Sequence, residues 1–348
     1  MQKKLKEIEN ILENKELPSH DYVFELTSNA SEILENESSI YRSLDKNNNP
    51  GSLLDFLDDV LPMVVIPDIH ARPFFIKNIL ECVLPNDFIP STKKAYTIFE
   101  ALSKGYIRLV CVGDALHTEY FTKERWLNAW EEFRIGIYTG PSMTKEMLSG
   151  MNTICALMKI KEFFPNNFHF LKGNHENIMN RTGDGDFSFM KYANEGFMVR
   201  EFIHEFYGDD ILYLLSCVEN AMPLVLVSKN CVISHAEPRK AYTKEQIINA
   251  RSDGNIIADF TWTANDEAEN GSVKKIIKSL NPSAKIDDYI YLAGHRTVKE
   301  NFALRQNGLL VQIHNPKNQN VFLIYKDRKF NPKTDILTTN KMEKSYEY

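Results

Sequence analysis

"FLKGNHENIMNR", residues 170–181, is the stretch on which the reading of this chain turns. Gly173, Asn174, His175 and Glu176 follow an apolar run and interrupt it with polar chemistry that a core avoids. Other apolar runs end in the same manner. "VVI" runs into Pro67-Asp68-Ile69-His70, "LVCV" into Gly113-Asp114, "CVI" into Ser234-His235 and "YIYLA" into Gly294-His295. In open α/β sheets the crevice beyond the strand ends is where side chains from several strands converge on a ligand. Five strand ends therefore bring Asp, His, Asp, Asn, His and His to one rim.

Outward from this stretch, the chain alternates short apolar runs with helical segments from residue 63 onward: "MVVI", "IRLVCV", "FHFL", "LVLV", "CVIS", "YIYLA". That alternation predicts an α/β core. Residues 1–60 read differently. "LKEIENILENKEL" and "NASEILENESSIYRSL" carry apolar residues at helical spacing, so a helical N-terminal extension is expected, followed by a turn or linker at "DKNNNPGS", residues 45–52. The catalytic domain is expected over 61–330 and a tail over 331–348. The whole is 348 residues long, 43% hydrophobic and 25% charged, with a net charge of -6. This balance argues against a nucleic-acid or anionic-membrane binder, which needs a basic face. Five cysteines without CxxC spacing read as reduced core residues, and the absence of a long apolar run predicts a soluble, cytoplasmic protein.

The rim residues suit a pair of divalent metals. Asp68 and His70, two apart on an extended segment, face the same way and can grip one ion. Asp114 is positioned to bridge two ions through its two oxygens, while Asn174, His235 and His295 supply an amide oxygen and two imidazole nitrogens to the second. Mixed oxygen and nitrogen ligation fits manganese, iron or zinc better than magnesium or calcium, and manganese is the first expectation. Two such ions about 3.5–4 Å apart serve phosphate-ester hydrolysis. Taken singly, each signal is ordinary turn or capping chemistry, which is how His20, His169 and His204 are read. The conjunction in one order is what carries the reading, and His314 in "QIHNP" is left undecided.

The order DxH, GD, GNHE, H, GH resembles the calcineurin-like metallophosphoesterases, and its neighbourhoods resemble the phosphoprotein phosphatase branch, the serine/threonine phosphatases. "TICALMKIKEFFPNNFHFLKGNHE" (153–176) and "KEQIINARSDGNIIADFTW" (244–262) are similar to stretches of that branch, and Thr297 in "GHRT" stands where other branches have a second histidine. The resemblance covers roughly residues 63–326. It implies a four-layer α/β/β/α sandwich with two mixed β-sheets. It also implies one metal on Asp68, His70 and Asp114 and the other on Asp114, Asn174, His235 and His295. His175 would be the proton donor to the leaving alkoxide, Arg251 a phosphate-binding arginine, and Glu176 an orienting group. A phosphorylated peptide or protein is the implied substrate. A small phosphate ester, a nucleotide as in the diadenosine tetraphosphatases, and a weakly active phosphoprotein-binding module are the alternatives.

Departures from the family pattern are equally specific. "GDALHTEYFT" places His117 where an Asp would brace the general acid and Thr118 where an Arg would hold phosphate. Arg72 and Arg296, each just behind a metal ligand, are the candidates to restore positive charge, and His117 is a candidate second acid. Residues 118–150 read as an insertion. Within it "TKERWLNAWEEFRIGIY" forms an amphipathic helix with an aromatic face, expected either as a lid with Arg125 or Arg134 over the metals or as a peripheral helix packed on the scaffold.

Overall fold

The structure, a computed structural model, describes residues 1–89, 91–92, 94–119 and 122–339. Its strands are β1 (Leu53–Phe56), β2 (Met63–Ile66), β3 (Arg108–Cys111), β4 (Phe168–Phe170), β5 (Val225–Ser228), β6 (Cys231–Ser234), β7 (Ile290–Ala293), β8 (Ala303–Arg305), β9 (Leu310–Gln312), β10 (Asn320–Ile324) and β11 (Ile336–Thr338). They form a six-stranded sheet ordered β1-β5-β6-β7-β9-β8 and a five-stranded sheet ordered β11-β10-β2-β3-β4. Both sheets are mixed. Strands β2, β3 and β4 run parallel in one, with antiparallel β10 beside β2, and β6, β7 and β9 run parallel in the other, between antiparallel β5 and β8.

The apolar runs lack polar alternation because both faces of each strand are covered. Val65, Val110 and Leu171 meet Leu226, Ile233 and Leu292 between the sheets. Their neighbours Val64, Leu109 and Cys111 face a helical layer instead. On the far side, Val225, Val227, Val232 and Tyr291 face a second one. The helices are α1 (Gln2–Leu12), α2 (His20–Glu35), α3 (Pro73–Glu81), α4 (Ile98–Ser103), α5 (Lys123–Arg134), α6 (Pro141–Phe163), α7 (Glu195–Tyr207), α8 (Asp209–Ala221), α9 (Lys244–Ile248), α10 (Gly254–Thr261) and α11 (Ser272–Leu280). The first eight lie on the five-stranded sheet and the last three on the other, giving the expected α/β/β/α layering. Local signals fix their starts: Ser19 and Asp253 accept backbone N–H groups of α2 and α10, and Thr97 with Glu100 closes a capping box on α4.

Three sequence boundaries shift, and one reading left open between turn and linker is resolved. Residues 1–60 are not a separate helical extension, because Leu53–Phe56 is an edge strand paired in parallel with β5. "DKNNNPGS" is a turn rather than a linker: the Asp45 carboxylate accepts the N–H groups of Asn47 and Asn49, and Leu44 bridges Pro50. The tail expected from 331 contributes β11 to a sheet, and residues 340–348 lie outside the described residues. Finally, the insertion drawn to residue 150 ends inside α6, a single 23-residue helix that starts at Pro141.

Candidate metal centre

The C-terminal ends of the two parallel trios meet at one rim. Asp68 and His70 follow β2, Asp114 follows β3, Asn174 and His175 follow β4, His235 follows β6, His295 follows β7, and His314 follows β9. Contacts cross from one sheet to the other. The Asn174 amide oxygen lies 2.8 Å from His235 Nε2 and 2.9 Å from His295 Nδ1, and the His295 N–H donates to Asp68 Oδ2 at 3.0 Å. The rim expected from the sequence thus assembles, with a sixth strand end added.

Glycines before these residues have a steric cause. A Cβ on Gly294 would sit 2.3 Å from Asp68 Oδ1, and one on Gly173 would sit 2.3 Å from Asp114 Oδ1. No larger residue leaves room for the carboxylates, which accounts for "GNHE" and "GH". Backbone strain gathers here too: His70, Asp114 and His295 have φ of 47°, 58° and 60°. Left-handed non-glycine residues persist where surroundings over-determine them, and they cluster at functional sites.

Asp114 is the common neighbour of the imidazoles, its Oδ2 lying 3.5 Å from His235 Nε2, 3.6 Å from His70 Nε2 and 3.7 Å from His175 Nε2. Asp68 faces His235 Nδ1 at 3.3 Å through one oxygen and His314 Nδ1 at 2.9 Å through the other. Most of these separations exceed a good hydrogen bond but match the ~3.0–4.2 Å between donors that share one cation at ~2.1 Å. Asp68 Oδ1, His175 Nδ1, both ring nitrogens of His117 and His314 Nε2 are buried without a hydrogen-bond partner. Buried polar groups are seldom left so, and this donor set of carboxylate, amide and imidazole fits mid-row divalent cations.

Electrostatics point the same way. Burial raises the Asp114 carboxyl well above its ordinary range, and Glu176 and Asp68 add to this against the opposing pull of His235. Burial opposes the charged form of His235, yet Asp114 and Asp68 outweigh it and lift this imidazole to about 9. Asp68 and Glu119 do the same for His314, also to about 9. In the cation-free protein these protons supply the positive charge that buried carboxylates demand. His70 and His295 are pushed down to about 3 by burial foremost, which keeps them neutral and able to ligate.

Glu176 orients the site as expected. Its buried carboxylate accepts the N–H groups of Asp114, Ala115 and Gly173 at 2.8, 2.8 and 2.7 Å, tying the ends of β3 and β4 together. His175 donates its own N–H to Asp114 Oδ1 at 3.0 Å. Its ring stacks on His117, with centroids 4.8 Å apart, and lies 4.2 Å from the ring of Phe189. His117 packs on the His175 ring at the position where the resemblance implied a carboxylate.

The arginines behave otherwise. Arg251 is not at the rim; its guanidinium grips both Glu35 oxygens, one at 2.8 Å, and so ties α2 to the sheet. Arg72 curls back onto the carbonyls of Asp68, Ile69 and Pro316, so its donors lock the loop that carries the ligands. Arg296 is exposed beside His295. Helix α5 is packed on α6 as a scaffold element, and the lid reading loses its charge donors. Arg125 is committed to Glu146 and the Thr118 hydroxyl, and Arg134 to Glu131. Trp126 of α5 is fully buried, donates to the Thr118 carbonyl at 2.9 Å, and backs the His117 ring at 4.9 Å.

One rim residue was left undecided by the sequence and one was missed. His314 ends the apolar run "LLVQIH" as the other rim residues end theirs, so the signal was present. Glu119 carries none; it joins His70, His117 and His175 only through the folding of distant loops.

No family model and no curated protein sequence matches the chain. Among solved structures, it resembles a protein serine/threonine phosphatase from Saccharomyces cerevisiae with similarity to human phosphatase PP5, at a TM-score of 0.58 and 13% identity over 94% of this chain and 92% of that one. Weaker likenesses are to a cold-active protein-tyrosine phosphatase of a psychrophilic Shewanella species, with TM-score 0.43, 12% identity and 82% of each chain. A protein provisionally named a diadenosine tetraphosphatase follows, with TM-score 0.38, 12% identity, 83% of this chain and 97% of that one. With two mixed sheets in four layers and this likeness along nearly its whole length, the chain has a metallophosphoesterase-like fold, that of the serine/threonine phosphatase it resembles.

Proposed function

We propose that the rim hydrolyses phosphate monoesters with two divalent cations, manganese first and iron or zinc as alternatives, and that phosphoserine or phosphothreonine in a peptide or protein is its substrate class. The observation that supports this is the convergence of six strand ends on one rim, where three imidazoles surround Asp114 and buried donors lack partners. Asp68, His70, Asp114 and His314 would hold one cation, and Asp114, Asn174, His235 and His295 the other. When bound, such a pair supplies positive charge to a phosphoryl group and acidifies water.

The chain's own contribution is then orientation and proton transfer. Glu176 fixes the β3 and β4 ends, and Arg72 fixes the Asp68-to-His70 turn. His175 delivers a proton to the leaving oxygen from Nε2. Burial foremost, with His117 and His70 beside it, holds this imidazole well below its ordinary value. A docking phosphate dianion is the charge that favours its protonated, donating form. A cytoplasmic setting belongs to the proposal and is supported by five unpaired cysteines.

The test is a substrate panel on manganese-loaded protein: a phosphopeptide, an aryl phosphate and a dinucleoside polyphosphate. Turnover of the first two is expected. Preference for the third would move the substrate class to nucleotides, and two bound metals without any turnover would favour a binding module. His175→Gln should keep its metals and lose roughly 10²–10⁴-fold in kcat on alkyl phosphates, but less on aryl phosphates, whose leaving group needs little protonation. Equal losses on both would remove His175 from that role.

A further inference from the structure

We propose that Glu119, which lies outside every motif, closes the outer cation position with His70 and His314, and that Lys191 occupies Glu119 until a cation arrives. This rests on the rim binding divalent cations. The carboxylate oxygen Glu119 Oε2 lies 3.8 Å from His70 Nε2 and 3.8 Å from His314 Nε2. Both separations are too long for hydrogen bonds, and both fall within the ~4.2 Å that can separate a pair of donors on one cation at ~2.1 Å. His314 is the independent sign of a missing partner: it is fully buried, its Nδ1 faces Asp68 Oδ2 at 2.9 Å, and its Nε2 has no hydrogen-bond partner. A carboxylate oxygen 3.8 Å from each of two imidazole nitrogens belongs to a donor set that suits manganese, iron or zinc.

Glu119 is held in this position from outside. The Tyr192 hydroxyl donates to the Glu119 carbonyl at 3.0 Å. Glu195, itself buried, accepts the N–H of Lys191 at 2.8 Å and that of Tyr192, so it shapes the loop that presses on Glu119. From this loop the Lys191 ammonium reaches Glu119 Oε2 at 2.8 Å, the same oxygen that faces the two imidazoles. The Lys191 side chain is 41% exposed, and such a pair is weak enough to yield to a divalent ion. Once displaced, Lys191 is a cation without a counterion at the mouth of the site. The phosphate of a monoester is the ligand it would then meet, in place of the guanidinium that Arg251 does not bring.

Manganese affinity, measured by titration against a competing chelator on the full chain, separates this from a plain surface ion pair. Glu119→Gln should weaken one of two sites by ~10-fold or more and leave the other unchanged. Lys191→Met removes the competitor and should tighten that same site, by roughly 3–10-fold. A structural role for the pair predicts the opposite for Lys191, since both variants would loosen the loop and weaken binding together. The proposal is overturned if Glu119→Gln binds both ions as wild type does, or if Lys191→Met weakens the site. A wild type with two sites and an indifferent Glu119→Gln would remove this inference alone, whereas a wild type with none would overturn it together with the function above. Thermal unfolding in EDTA should be nearly the same for all three proteins, and the Lys191→Met arm decides the matter by itself should Glu119→Gln not fold.

Discussion

The molecule buries charge in two places, and they are built on opposite plans. Near the start of β4, Glu37 meets Arg42 at 2.5 Å and Lys161, with His169 at 3.4 Å. Every guanidinium and ammonium nitrogen also reaches a carbonyl: Arg42 those of Leu34, Gly51 and Ala221, and Lys161 those of Pro165 and Phe168. Burial alone would raise the Glu37 carboxyl, but Lys161, His169 and Arg42 hold it below the ordinary carboxylate range. At the rim, Asp68 and Asp114 face imidazoles with donors left over and no fixed cation between them. A buried charge set closed by its own counterions works as a fastener. One left open by donors in the right arrangement works as a socket.

The contrast can be broken at its closed end. Glu37→Gln strands two buried cations and should cost about 3–5 kcal/mol of stability by denaturant unfolding, while manganese affinity stays unchanged. A loss of metal binding with little loss of stability would reverse the two roles.

Acid sharpens it next. Burial foremost, then Lys161, pushes His169 down to about 4, below its unfolded value near 6.5. The unfolded chain therefore takes up a proton that the folded one refuses, and stability is lost as pH falls from about 6.5 to about 4. Between pH 7 and pH 5, wild type should lose roughly 2 kcal/mol relative to His169→Gln. Parallel pH profiles for the two proteins would mean that His169 is not held neutral.

The smallest effect concerns a residue placed on the wrong side by its sequence context. Arg251→Met should cost at most about 1 kcal/mol, as a partly exposed ion pair does, and change kcat/KM by less than about threefold. A hundredfold loss in kcat/KM would return Arg251 to the phosphate.

The legible features share a physical trait. Asp68, His70, Asp114, Asn174, His235 and His295 each sit a few residues past a strand buried on both faces, where polar side chains are out of keeping with the run before them. The glycines before Asp114, Asn174 and His295 were visible as residues, but the reason for them was not, since a Cβ on Gly173 or Gly294 would meet Asp114 or Asp68 from another segment. What was illegible depends on meetings between distant segments. The edge strand β1 shows itself only against β5, and Glu35 recruits Arg251 from 216 positions away. Glu119 becomes a member of the rim only when the loop carrying Lys191 and Tyr192 presses on it. His314 is the intermediate case, ending an apolar run like the others but on a strand of three residues whose last, Gln312, blurs the pattern.

The central claim, that the rim is a two-cation socket organised by Asp114, is tested most directly by counting metal. Elemental analysis of wild type after equilibration with manganese should give about two ions per chain, and Asp114→Asn should lose affinity for both, because one oxygen of this carboxylate faces the Nε2 atoms of His70 and His235, one from each group. Wild type without bound metal, or unchanged occupancy in Asp114→Asn combined with His235→Ala, would contradict it.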